Sequence, residues 1–173
     1  DTPGHADFSA EMERTLQVLD HAILVISGKD GVQGHTLTLW RLLEKYGIPV
    51  SIFINKMDLQ GTDKAAVMEE LKRRLDDRCT DFTDDLPDGE ELASCHEQLL
   101  EEYFDTGEIS RDSLVAAIAD RQVFPCWFGS ALKNDGIETF LEGFCRYASE
   151  PDHGRSFAAR VFKITRDGQG HRL

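Results

Sequence analysis

Hydrophobic residues along the chain follow two rhythms that take turns. Short unbroken apolar runs alternate with longer stretches in which an apolar residue returns every three or four positions. The runs at 21–27, 50–54 and 123–128 are rich in branched and aromatic side chains and too short to stand as helices, so each predicts a buried parallel strand. Pro125 predicts the first residues of its strand, or a strand at a sheet edge, because it cannot donate to a ladder. The helical rhythm shows in Phe8, Met12, Leu16 and Leu19, and again in Leu37, Trp40, Leu42 and Leu43 over 36–46. Gly47 and Pro49 supply a stop for the latter. Asp63 can cap a helix through about residue 75 that carries Val67, Leu71 and Leu75, and a helix over 136–147 shows Ile137, Phe140, Leu141 and Phe144. Between 78 and 89 the composition turns acidic and turn-rich, which predicts a loop. Two helical patterns follow at 90–104 and 110–121, split by Asp105-Thr106-Gly107. Strand alternating with helix predicts an α/β fold, a parallel sheet with helices on both faces around a single core. Pro151 and Gly154 mark a linker, and 157–164 alternates as a further strand would.

At 173 residues the chain suits one domain of ordinary size. No run approaches the roughly 18 apolar residues that span a bilayer, so no membrane partner is expected. Cys79, Cys95, Cys126 and Cys145 form no C-x-x-C pair and no zinc-like grouping with the six histidines. Free thiols in a reducing, cytoplasmic compartment fit that pattern. The net charge of −13 argues against a DNA partner, since neutralising phosphates drives most binding to nucleic acid. Its location changes the picture: residues 76–121 hold fifteen acidic and three basic residues, a net of −12, and the rest is close to neutral. The acidic block reads either as a solvated helical elaboration of the sheet or as an arm that meets a partner or regulates access.

Three short stretches carry candidate chemistry. The first is Asp1-Thr2-Pro3-Gly4-His5. An Asp at a strand end can hold Mg²⁺, directly or through water. Pro3 stiffens the turn, and Gly4, lacking a Cβ, lets a backbone N–H approach a phosphate oxygen. His5 would then stand beside a terminal phosphate, where a water is oriented for attack. Asp-x-x-Gly alone recurs by chance as a surface turn, Asn-Lys-x-Asp alone as an exposed loop and Ser-Ala alone as a helix cap. Here Asn55-Lys56-Met57-Asp58 and Gly129-Ser130-Ala131-Leu132-Lys133 follow it in order, each after a predicted strand. In that order and context they resemble the base-reading elements of a GTPase.

With Asp7-Phe8 and Glu11, the opening stretch resembles switch II of the translational GTPases. Leu19-Asp20-His21-Ala22-Ile23-Leu24-Val25-Ile26-Ser27, Asp30-Gly31-Val32-Gln33, Gly47-Ile48-Pro49 and Phe53-Ile54-Asn55-Lys56 resemble the tetracycline ribosomal protection branch of the elongation factor G group. Gly34-His35-Thr36 departs from the Gln-Thr ending of that branch. The resemblance implies a P-loop-NTPase-like, GTP-binding (G) domain over 1–152 with an acidic helical insertion at about 76–121. It further implies a linker and the first strand of a β-barrel domain at 153–173. GTP or GDP with Mg²⁺ would be the ligand, and the ribosome the partner. Asp1 would hold the metal, Gly4 a phosphate, and His5 would serve catalysis. Asn55 would bind the purine edge and brace the neighbouring loop, and Lys56 would cover a base face with its methylenes. Asp58 would accept from the two N–H groups that guanine has and adenine lacks. The Ala131 N–H, following Ser130, would donate to the guanine carbonyl, with Leu132 and Lys133 lining the ribose side. No Gly-x-x-x-x-Gly-Lys-Ser/Thr occurs, and Gly28-Lys29 is followed by Asp30. In the family that loop and the switch I threonine precede the strand ending at Asp1. The expectation is therefore a piece of a G domain, with GTP hydrolysis a property of the parent protein and not of these residues alone.

Overall fold

The structure, a computed structural model, describes residues 15–84 and 87–149 together with positions 156, 157, 159, 161, 164, 168 and 169. Its elements run β1 (Ala22–Ser27), α1 (Gly34–Lys45), β2 (Val50–Asn55), α2 (Lys64–Arg74), β3 (Cys79–Asp81), α3 (Gly89–Ala93), α4 (Glu97–Thr106), α5 (Arg111–Ala119), β4 (Phe124–Phe128) and α6 (Ile137–Tyr147). The strands form one parallel sheet in the order β1-β2-β4-β3. This is the expected α/β class. No helix among the described residues is long and apolar enough to cross a membrane.

The period-two geometry of the strands divides the interior. Val50, Ile52 and Ile54 of β2 share one face with Leu24 and Ile26 of β1 and with Phe124, Cys126 and Phe128 of β4. Trp40 and Leu43 of α1 and Val67 and Leu71 of α2 cover that face. Phe53 and Trp127 point the other way, into Leu92 of α3, Leu99 of α4, Leu114 and Ile118 of α5, and Phe140 of α6. The single core expected from length is thus two clusters separated by the sheet.

Several local expectations are corrected. The loop expected at 78–89 contains β3, which pairs with β4. The helix expected at 90–104 is broken after Ala93, and His96 starts α4 by accepting from Gln98 N–H at 3.3 Å through Nδ1. Pro125 lies in a strand flanked on both sides, but pairing with β2 begins only at Cys126, so its missing N–H falls before that ladder. β1 is only half buried: Leu24 and Ile26 are buried, whereas Ile23 and Val25 are 44% and 60% exposed at the edge of the described sheet. α1 starts two residues earlier than its apolar rhythm, because Gln33 and Thr36 form a reciprocal cap. Asp63 caps α2 as expected, its Oδ1 accepting from Ala66 N–H at 2.8 Å. The first helical pattern lies largely outside the described residues. Of the alternating stretch 157–164, only Phe157, Ala159, Val161 and Ile164 are described, all exposed and in no strand.

Candidate functional site

In an open parallel sheet, ligands gather outside the carboxyl ends of the strands. Two of the three candidate stretches meet there. Asn55 ends β2, and Gly129 follows the last residue of β4. The register pairs Ile54 with Phe128, so both chains leave the sheet at the same level. Backbone bonds then tie the exits together: Gly129 N–H donates to Ile54 C=O at 2.9 Å and Met57 N–H to Gly129 C=O at 3.1 Å. Gly28, which follows β1, joins the rim by donating to Asn55 C=O at 2.7 Å.

Asn55 is the brace between the loops. Its Oδ1 accepts from Lys56 N–H at 2.7 Å and from Ala131 N–H at 2.9 Å. One short polar side chain thereby fixes the start of the loop after β2 against the loop after β4. Lys56 adopts a left-handed backbone with φ 66°, a conformation that costs a side-chain-bearing residue on the order of 1–2 kcal/mol. Such strain persists only where the surroundings impose it, and here it lies inside the candidate site. The Lys56 side chain is exposed, free to lie along a flat ring. Thr62 closes the same loop, its hydroxyl donating to Met57 C=O and Leu59 C=O, both at 2.9 Å.

The loop after β4 is built just as tightly. Ser130 is 1% exposed and bridges Asp135 through both backbone groups, at 2.9 and 3.0 Å. Gly129 allows this approach: a Cβ there would stand 2.4 Å from Asp135 C=O, a backbone atom unable to yield. Gly136, with φ 71°, lies under Phe128 C=O with no room for a Cβ. The turn that results leaves Leu132 at the surface, 90% exposed.

Asp58 faces this turn. A hydrogen bond from the Ser130 side chain, foremost, holds its carboxyl below the usual carboxylate range, and the Lys133 ammonium adds to the effect. That ammonium stands 3.8 Å from Asp58 Oδ2, with the carboxylate side chain only 13% exposed. The rim therefore presents an ionised, acceptor-only group close to the Lys133 ammonium. A ligand face with two adjacent N–H donors suits it.

Asn55, Lys56, Asp58, Ser130, Ala131 and Leu132 are brought to one rim. Asp1, Gly4 and His5 lie outside the described residues. Lys133, expected on the ribose side, turns its ammonium toward Asp58 instead. Thr62 was not singled out by motif reading; a Thr beside Gly61 shortly after Asp58 is the turn signal that could have found it.

The family model of the elongation factor Tu GTP-binding domain matches residues 1–150. A crystal structure of a protein from Thermus thermophilus is similar with a TM-score of 0.71 and 21% identity, covering 86% of this chain and 29% of that one. At that identity it supports the fold, and this chain spans under a third of its length. With the match running through nearly all of its 173 residues, the chain belongs to the elongation factor Tu GTP-binding domain family.

Proposed function

We propose that the rim formed by Asn55, Lys56, Asp58, Ser130, Ala131 and Leu132 reads the base of GTP or GDP. The observation that carries this reading is the convergence of two loops, 76 residues apart, on the single side-chain oxygen of Asn55 with an ionised Asp58 beside them. Asp58 would accept from the two adjacent N–H groups of guanine; adenine would leave that carboxylate facing a ring without them. Lys56 would cover one base face with its methylenes and Leu132 would line the sugar side. The Ala131 N–H would donate to the guanine carbonyl, sharing its one hydrogen with Asn55 Oδ1.

The resemblance of the opening stretch extends the reading to a ribosome-associated, cytoplasmic translational GTPase, and that of residues 19–27, 30–33, 47–49 and 53–56 to the tetracycline ribosomal protection branch of the elongation factor G group; elongation factor G proper, the related release factor and a non-catalytic guanine-nucleotide-binding module are the alternative readings. In the GTPase reading Asp1 would hold Mg²⁺, Gly4 a phosphate oxygen, and His5 would orient the attacking water. No Gly-x-x-x-x-Gly-Lys-Ser/Thr occurs among the 173 residues. Hydrolysis is therefore assigned to the protein that carries such a loop together with this rim.

Asp58→Asn tests the base-reading role. An amide offers one donor and one acceptor, matching xanthine, whose carbonyl replaces the amino group of guanine. The variant is expected to lose roughly tenfold or more in affinity for guanine nucleotides and to gain affinity for xanthine nucleotides, read by competition binding. Unchanged preference for guanine would contradict the assignment.

A further inference from the structure

We propose that Thr83, held by Asp81 and Lys64, is a positioning residue for the base-reading rim, the centre of a relay that ties the loop after β4 back to the loop after β2. The inference rests on the base-reading role proposed above and adds residues that hold its geometry. β4 lies between β2 and β3, so the loop that leaves it needs support on both sides. On the β2 side Gly129 N–H and the Asn55 side chain supply it. On the β3 side the ladder stops short, because its last pair is Asp81 with Cys126 and β3 ends there. Phe128 N–H, the last of β4, is therefore left without a strand partner on that side. Phe128 is 5% exposed, and a buried N–H without an acceptor is costly. The Thr83 hydroxyl accepts from it at 3.1 Å.

Thr83 is itself fixed from behind. Its hydroxyl and its own N–H both donate to Asp81 Oδ1, at 2.6 and 2.9 Å. Donation to a carboxylate aims the hydroxyl hydrogen away from β4, so that the oxygen's lone pairs are free to accept, and it strengthens that oxygen as an acceptor. Asp81 Oδ2 accepts from Lys64 Nζ at 2.7 Å. Lys64 opens α2 directly after Asp63, the cap that ends the loop after β2. Its ammonium also stands 5.3 Å from the centre of the Phe128 ring. Lys64, Asp81, Thr83 and Phe128 N–H thus lead from one base-reading loop to the other by a path that bypasses Asn55. The side chains of Lys64 and Asp81 are 38% and 30% exposed, so their ion pair contributes little to stability. Its consequence is directional: it sets the carboxylate that sets the hydroxyl on which the exit of β4 rests.

The test compares Thr83→Val, which keeps the branched shape and removes the hydroxyl, with Thr83→Ser, which restores it, in the isotope-labelled 173-residue chain. Thr83→Val is expected to speed hydrogen exchange of Phe128 N–H roughly tenfold relative to the other β4 amides and to shift the amides of Gly129 and Ala131. It should also weaken GDP binding about fivefold, since only molecules with the loop in place bind. Thr83→Ser should recover all three. Thr80→Val removes a buried hydroxyl from β3 outside the relay, and should leave all three unchanged even where it lowers stability in urea. Asp81→Asn and Lys64→Met should move the same readouts in the same direction by less, and they carry the test where Thr83→Val does not fold. Unchanged exchange and shifts at 128–131, or equal changes in Thr80→Val, would overturn the relay. A response in exchange with GDP affinity intact would overturn the positioning role. A wild-type chain indifferent to GDP would instead sink the base-reading role, while the hold of Thr83 on the loop is still decided by exchange.

Discussion

Lys56 concentrates the tension between folding and function in one residue. Its left-handed backbone is unfavourable for any side chain with a Cβ, and glycine would adopt it freely. Glycine would also gain freedom in the unfolded chain, which offsets part of the relief. Lys56→Gly is therefore expected to fall between unchanged stability and a gain of about 1 kcal/mol by chemical denaturation. The same variant should bind guanine nucleotides several-fold more weakly, because the methylenes proposed to cover the base are gone. A clear loss of stability would mean that the side chain serves folding. At this scale much of the rim was readable: Asn55, Lys56, Asp58 and Ala131 stand in a short pattern whose order and strand context point to one chemistry. The turn of Lys133 toward Asp58 was not readable, since the motif fixes the order of residues and not the direction of an exposed side chain.

Among the elements, the strands with continuous apolar runs were evident from sequence, and β3 was not. Cys79-Thr80-Asp81 lacks an apolar run and sits in an acidic stretch. It becomes a strand because β4 offers a ladder: Phe124 N–H donates to Arg78 C=O at 3.1 Å and Phe82 N–H to Cys126 C=O at 2.8 Å. Tertiary pairing decides such short strands. The break between α3 and α4 escaped notice for a related reason, having neither Gly nor Pro to signal it. A different junction carries a pH dependence. His21, just before β1, bonds Ser51 of β2 through Nε2 at 2.9 Å and meets the Phe144 ring of α6 edge-on. Burial pushes its pKa down to about 4. The unfolded chain takes up the proton near 6.5 and the folded chain resists it, so stability is full above 6.5, falls between 6.5 and 4, and levels below. The loss is about 2 kcal/mol, discounted for the ring's partial exposure. His21→Gln should flatten this part of a stability–pH curve measured by urea unfolding. A wild-type curve already flat across that interval would contradict a histidine origin.

For the molecule as a whole, the sheet separates two tasks. One end of β2 and β4 gathers the residues proposed to read a base, while the helices after β3 carry most of the negative charge. The α/β class was readable because strand-like and helix-like rhythms alternate. The division into two core clusters follows from residue parity in β2 and β4 and could not be read from length. The central claim is that the loops after β2 and β4 act together on one purine. Its most direct test is an amide shift map of the labelled chain with millimolar GDP and, separately, ADP. The account predicts shifts from GDP confined to the amides of Lys56, Met57, Asp58, Ala131 and Leu132, together with any contributed by the opening stretch, and none of that pattern from ADP. Shifts in only one of the two loops, or an equal response to ADP, would contradict it.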